Sequence, residues 1–232
     1  MVRGQCQIGH SERPESTEWS RYADLDAQAQ ESMAQMVAER MGFSREQAVC
    51  GWWPHPNGIV DILTKMSDRE AEGVKSVYLF GDVGAGKTVL LACMAKNLFR
   101  TWAMGTSCRP EVLIPAFLRN VLYLEHSTLI EMAHDFELDR FSFSLLDVTQ
   151  VPYLILDDYR RSPESERAIG AFDSLINYRE RYGMPTWIAS NKDPRSLKAD
   201  RAIARTYSRL ANSRWMMALT IKGNLRNPKR AK

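Results

Sequence analysis

Apolar positions along the chain fall into two regimes, a helical one near the start and an alternation of short apolar runs with helical stretches after it. Leu25, Ala29, Met33, Met36, Val37 and Met41 recur at helical spacing, and Gly42 follows as a stop. Ser44 with Gln47 predicts a capping box opening a second, shorter helix. The methionine-rich stripe reads first as core packing and second as a docking face, because it precedes the strand-helix alternation. Ser76–Phe80 is a buried strand, and Val89 to Trp102 is the helix that follows its glycine-rich exit. Ser107 to Ala116 carries Pro110 and Pro115 and reads as an irregular insertion. Val121–Leu124 is the second strand, with a helix from about Thr128 whose Glu131 completes a T-x-x-E cap. Tyr153–Leu156 is the third, followed by a helix announced by Ser162, Pro163, Glu164 and Glu166 and faced by Ile169, Phe172, Leu175 and Ile176. Gly183 and Pro185 end that helix; Thr186–Ser190 is the fourth strand, Arg201 to Asn212 a helix, and Trp215 to Ile221 the fifth strand. This order predicts an α/β fold with a five-stranded, mainly parallel sheet covered by helices on both faces. The divisions expected are a mobile lead-in over 1–22, a helical region over 23–72, the α/β core over 73–226 and a basic tail over 227–232.

The first strand runs into Gly81-Asp82-Val83-Gly84-Ala85-Gly86-Lys87-Thr88, followed by Val89, a complete G-x-x-x-x-G-K-[ST] phosphate loop. The glycines let successive backbone N–H groups turn inward on phosphate oxygens, and the next helix begins there with its positive end. Lys87 would reach the β- and γ-phosphates of ATP, and Thr88 would place its hydroxyl on Mg²⁺. The third strand ends in Asp157-Asp158, the acidic pair such a site needs. Asp157 is the candidate metal-side carboxylate. Asp158 is the candidate base for the attacking water, one methylene shorter than a glutamate, which predicts slow hydrolysis.

Composition narrows the class without adding chemistry. Over 232 residues, 44% are hydrophobic and 25% charged, ordinary values for a globular chain that can bury a core and unlike those of disordered or fibrous ones. The net charge of +3 permits nucleic-acid contact without demanding it. Lys222 to Arg226, Lys229-Arg230-Ala231-Lys232 and Arg160-Arg161 are the basic stretches that could track phosphates, or equally be solvated. Cys6, Cys50, Cys93 and Cys108 form no C-x-x-C pair, which fits a reduced, cytoplasmic protein, and Cys6 with His10 lacks a second half for zinc. No apolar stretch reaches a membrane span. Trp52, Trp53 and His55 read as core residues, with an adenine wall as the second reading.

Five stretches carry a more specific likeness: Tyr78 to Thr88, Leu154 to Asp158, Ile176-Asn177-Tyr178-Arg179 running to Thr186, Ala189-Ser190-Asn191, and Tyr207-Ser208-Arg209-Leu210. Over roughly residues 76 to 226 the chain resembles the P-loop NTPases of AAA+ type in the bacterial helicase-loader group, DnaC and DnaI, with their relatives the IstB transposition ATPases. The resemblance implies ATP and Mg²⁺ as cofactors, Asn191 as the sensor that hydrogen-bonds the γ-phosphate or its water, and Arg209 as an arginine finger for ATP on a neighbouring subunit. Ile203, Tyr207 and Leu210 fall on one helix face, which places Arg201, Arg205 and Arg209 on the other. The short stretch after Arg209 predicts no full C-terminal helical lid, with Arg226 the nearby substitute. The implied function is ATP-dependent loading of a replicative helicase on DNA, expected to be single-stranded, by an ATP-dependent homo-oligomer. A transposase partner on duplex DNA and a nucleotide-gated interaction protein with little hydrolysis are the alternatives.

Overall fold

A computed structural model describes residues 21–49, 73–134, 144–159, 166–199 and 204–222. The expectations for residues 1–20 of the lead-in, for Trp52, Trp53 and His55, for Ser162 to Glu164, for Arg160, Arg161, Arg201 and Ile203, and for the basic tail lie outside these residues; Tyr22, the last residue of the expected lead-in, is buried.

Among the described residues the strands are β1 (Ser76–Phe80), β2 (Val121–Glu125), β3 (Tyr153–Tyr159), β4 (Thr186–Ser190) and β5 (Met216–Thr220). They form one sheet in the order β2-β3-β4-β1-β5, with every neighbouring pair parallel. The helices are α1 (Ala27–Met41), α2 (Arg45–Val49), α3 (Lys87–Met104), α4 (Pro110–Leu118), α5 (His126–His134), α6 (Leu145–Gln150), α7 (Glu166–Arg181) and α8 (Ala204–Leu210). Short 3₁₀ turns occupy Tyr22–Asp24 and Pro194–Ala199.

Strand side chains alternate between two cores. Val77, Leu79, Ile155, Trp187 and Ala189 pack with α1, α3 and α4, whereas Tyr78, Leu154, Leu156, Ile188 and Met216 pack with α5, α6, α7 and α8. This period of two explains why short apolar runs become doubly covered parallel strands.

Local chemistry sets most boundaries as expected. Asp26 caps α1 by accepting from the Ala29 N–H at 2.7 Å, and Gly42 ends it in the left-handed conformation at φ +112°. Ser44 and Gln47 exchange the two bonds of a capping box ahead of α2. Three expectations need correction. Ser107 to Ala116 is no irregular insertion: Pro110 sits at the first turn of α4, and Leu113, Ile114 and Phe117 are buried, so core burial overrides the internal Pro115. The helix expected from Thr128 begins at His126, directly on the end of β2, because His126 is buried against the Tyr159 and Phe172 rings. Of the methionine stripe, Met41 is buried and Met36 is exposed; the buried face of α1 is Ala34, Val37, Ala38 and Met41.

Candidate nucleotide site

The carboxyl ends of β1, β3 and β4 lie side by side in the middle of the sheet and deliver three sequence motifs to one place. From β1 comes the loop Gly81 to Thr88. Gly84 and Gly86 hold φ at +83° and +90°, the region that admits glycine most readily. Gly86 also occupies the N-cap of α3, and no side chain caps that helix, so its first-turn amides face the loop. Gly81 is required for another reason. A Cβ there would stand 2.0 Å from the Ile221 carbonyl oxygen, so β5's exit packs directly on the loop's first residue.

Lys87 is buried, and its ammonium donates to the Gly81 carbonyl (2.8 Å), the Asp82 carbonyl (2.8 Å) and Asn191 Oδ1 (2.7 Å). Burial pushes its pKa down, against an upward pull from Asp157, Asp158 and Asp82. The bond between Lys87 and Asn191 brings the loop lysine and the sensor candidate together from positions far apart in sequence. Asn191 itself is held by the turn after β4, where Ser190 Oγ donates to the Tyr159 carbonyl (2.7 Å) and accepts from the Lys192 N–H (3.0 Å).

Asp157 is 5% exposed, and burial raises its carboxyl pKa. Three donors work against that rise: the Thr88 hydroxyl, the Asp158 N–H at 2.7 Å, and the Tyr123 hydroxyl at 3.2 Å. Burial raises the Tyr123 pKa, with the Asp157 charge adding to it, so the phenol remains a neutral donor.

Asp158 has φ +52°, the one non-glycine residue with positive φ among those described. It lies where the pairing of β3 with β4 jumps from Leu156–Ile188 to Tyr159–Ser190, three steps on one strand against two on the other. This β-bulge lets both Asp157 and Asp158 line one cavity, although strand alternation would send consecutive side chains to opposite faces.

That cavity has a volume of about 1020 Å³. Of the predicted loop residues, Val83, Gly84, Gly86, Lys87, Thr88 and Val89 line it, joined by Asp157, Asp158 and Asn191. Gly81, Asp82 and Ala85 do not; the first two contribute the carbonyls that hold Lys87. Gly42, Ser44, Gln47 and Tyr123 also form part of the wall, a role that no motif in the chain announces. Periodicity identifies a helix-turn-helix corner without telling where in the fold it will rest.

Arg209 lies elsewhere. It does not line the cavity, and it does not project freely as its helix face suggests. Its Nη1 donates to Asp173 Oδ1 at 2.7 Å and its Nε lies 3.4 Å from Glu180 Oε2, with the side chain 21% exposed. Asp173 also accepts from Thr206, and Glu180 from Asn212, which fastens α8 along α7. Arg205 is exposed.

The donor set fits magnesium-bound triphosphate. A hydroxyl and a carboxylate already in contact are hard oxygen ligands, and Mg²⁺ bound with a nucleotide takes only one or two carboxylates besides phosphate oxygens and water. A dedicated cage is not needed, and among the described residues no group of three or more His, Cys, Asp and Glu is placed to hold a metal ion.

No protein-family model and no curated protein matches the chain. Solved structures do. A Streptococcus pyogenes serotype M3 protein described as a primosome component superposes with a TM-score of 0.56 at 20% identity, covering 87% of this chain and 100% of that one. AMPPCP-bound DnaA from Aquifex aeolicus superposes at 0.50 with 21% identity, over 70% of this chain and 46% of that chain. A DnaI structure gives 0.47 at 21% identity, with 90% of each chain covered. No described helix is long and apolar enough to cross a membrane. With its five parallel strands in this order and its glycine loop at the end of β1, between β4 and β5, the chain has the fold of the AAA+ P-loop ATPases.

Proposed function

We propose that the chain is an ATP-dependent loader of a replicative helicase, assembling with copies of itself on single-stranded DNA. The observation that carries this reading is the division of the chemistry. Lys87, Thr88, Asp157, Asp158 and Asn191 meet at one cavity, while Arg209, the remaining residue of the resemblance, sits on α8 outside it. A P-loop site can be completed by an arginine from outside the cavity, and in this reading a second copy supplies it. The replication setting is supported by the motif resemblance and by the likeness of fold to a described primosome component.

In this reading the loop amides and Lys87 bind the phosphates of ATP, exchanging the lysine's present bonds to Gly81, Asp82 and Asn191. Thr88 and Asp157 would hold Mg²⁺, which would neutralise charge on the phosphates. Asp158 accepts the proton of the attacking water and Asn191 orients that water. Arg209 of the next copy stabilises charge on the γ-phosphate, so hydrolysis follows assembly. Before assembly its guanidinium is paired with Asp173 and Glu180.

The test is pull-down of a replicative helicase with and without ATP, beside nucleotide binding by Lys87→Ala. The expected outcome is helicase capture only with ATP, and loss of both ATP binding and capture in the variant. Wild-type ATP affinity in Lys87→Ala would refute the site, and ATP-dependent binding to duplex DNA without helicase capture would favour the transposition reading.

A further inference from the structure

We propose that Tyr123 is a positioning residue through which the α1–α2 corner sets the geometry of the metal-side carboxylate Asp157. This rests on the reading of the cavity as a site for Mg²⁺ and ATP.

Of the three donors on Asp157, two belong to the site's own motifs: the Thr88 hydroxyl and the Asp158 N–H. The third, the Tyr123 hydroxyl on Oδ2 at 3.2 Å, comes from the neighbouring strand β2, where Glu125 pairs with Asp157 in register. Its ring is held by two residues of the α1–α2 corner. Phe43 lies against it with centroids 4.2 Å apart and planes tilted by 44°. Gly42 presses on the same ring so closely that a Cβ would meet Tyr123 Cδ1 at 3.3 Å, and its φ of +112° itself favours glycine.

The corner that supplies Gly42 and Phe43 is in turn anchored on α3, the helix that begins with Lys87 and Thr88. Lys96 donates to the Ala48 carbonyl at 2.8 Å and to Glu31 at 3.2 Å, and Arg100 pairs with the other oxygen of Glu31. The contacts therefore close a ring: α3, the α1–α2 corner, Tyr123, Asp157 and back through Thr88 to the start of α3. Hydrogen bonds that orient a metal-ligating carboxylate set ion affinity without touching the ion. Tyr123 fills that place here, and Phe43, which does not line the cavity, fixes where the phenol can reach.

The experiment measures binding of a slowly hydrolysed ATP analogue to the full chain, with Mg²⁺ and again with EDTA. Tyr123→Phe keeps the ring and deletes the hydroxyl, and Phe43→Leu keeps apolar bulk while releasing the ring contact. In Tyr123→Phe the gain in affinity that Mg²⁺ confers should shrink about tenfold while EDTA affinity stays within about twofold of wild type. Phe43→Leu should move the same quantity in the same direction by less. A wild-type Mg²⁺ gain in Tyr123→Phe would overturn the proposal. So would an equal loss with and without Mg²⁺, the mark of general loosening. A wild-type chain that binds no analogue under either condition would instead defeat the underlying reading of the cavity, and the inference with it.

Discussion

Asp158 holds a backbone conformation that disfavours most side chains, at a cost on the order of 1–3 kcal/mol for such a residue. Aspartate and asparagine tolerate it better than other residues, so Asp158→Asn preserves the bulge and removes only the charge. The expected result is ATP affinity unchanged and a turnover rate lower by about 10²–10⁴-fold, read from phosphate release at saturating ATP. A rate within a few-fold of wild type would move the base to another group. The loop and the acidic pair were legible in the sequence because their chemistry fixes residue type and spacing together. The bulge was not, since it is a register fault between β3 and β4, and a pattern of apolar positions along β3 alone contains no information about its partner. Nor was the capture of Arg209 by Asp173 and Glu180 legible: a helix wheel shows which way an arginine points and not which acidic side chains another helix will place beside it.

Elements were read well where a face is amphipathic and poorly where burial overrides local preference. All five strands were found within a residue or two, apart from the longer C-terminal end of β3, whereas α4 was mistaken because two prolines outweighed Leu113, Ile114 and Phe117. Two element-scale predictions follow from buried polar side chains. Arg179 of α7 is fully buried and donates to the Thr186 hydroxyl (2.7 Å) and to the carbonyls of Thr149 (3.1 Å), Val151 (2.8 Å) and Pro185 (2.6 Å). It thus ties the end of α6, the entry to β3 and the entry to β4 to one guanidinium, with burial lowering its pKa to about 10. Arg179→Ala leaves those carbonyls without their donor and opens a cavity, and should lose roughly 3–5 kcal/mol of stability in urea unfolding. His126 at the start of α5 gives the second. Burial lowers its pKa to about 4 from 6.5, opposed by the charge of Asp158. The unfolded chain then takes up a proton below pH 6.5 that the folded chain refuses until about pH 4. Stability should therefore fall as pH drops through that window, by up to about 3 kcal/mol, and His126→Gln should flatten this part of the curve.

At the scale of the whole molecule, the sheet order fixes what one copy can and cannot do. It gathers the loop, Asp157 and Asn191 at the ends of β1, β3 and β4, and leaves Arg209 on a helix whose partner is α7. A head-to-tail assembly would put the site of one copy against the arginine of the next. Arg209→Ala alone should reduce hydrolysis about 10³-fold or more while binding ATP normally. Mixed with Lys87→Ala chains, which retain the arginine, it should recover about a quarter of the wild-type rate, since random order yields that share of complete interfaces in a head-to-tail array. Absence of any recovery would argue against donation between copies.

β5 lies alongside β1 in register from Ser76–Met216 to Phe80–Thr220, the Ile221 N–H bonds the Phe80 carbonyl at 2.6 Å, and the Ile221 carbonyl rests on Gly81. A mechanical load on the chain beyond residue 222 is therefore borne in shear by the β1–β5 ladder, and reaches the floor of the phosphate loop through the contact between Ile221 and Gly81. A tether attached there would act as a handle on the glycine loop, and through Gly81 on the carbonyl that holds Lys87.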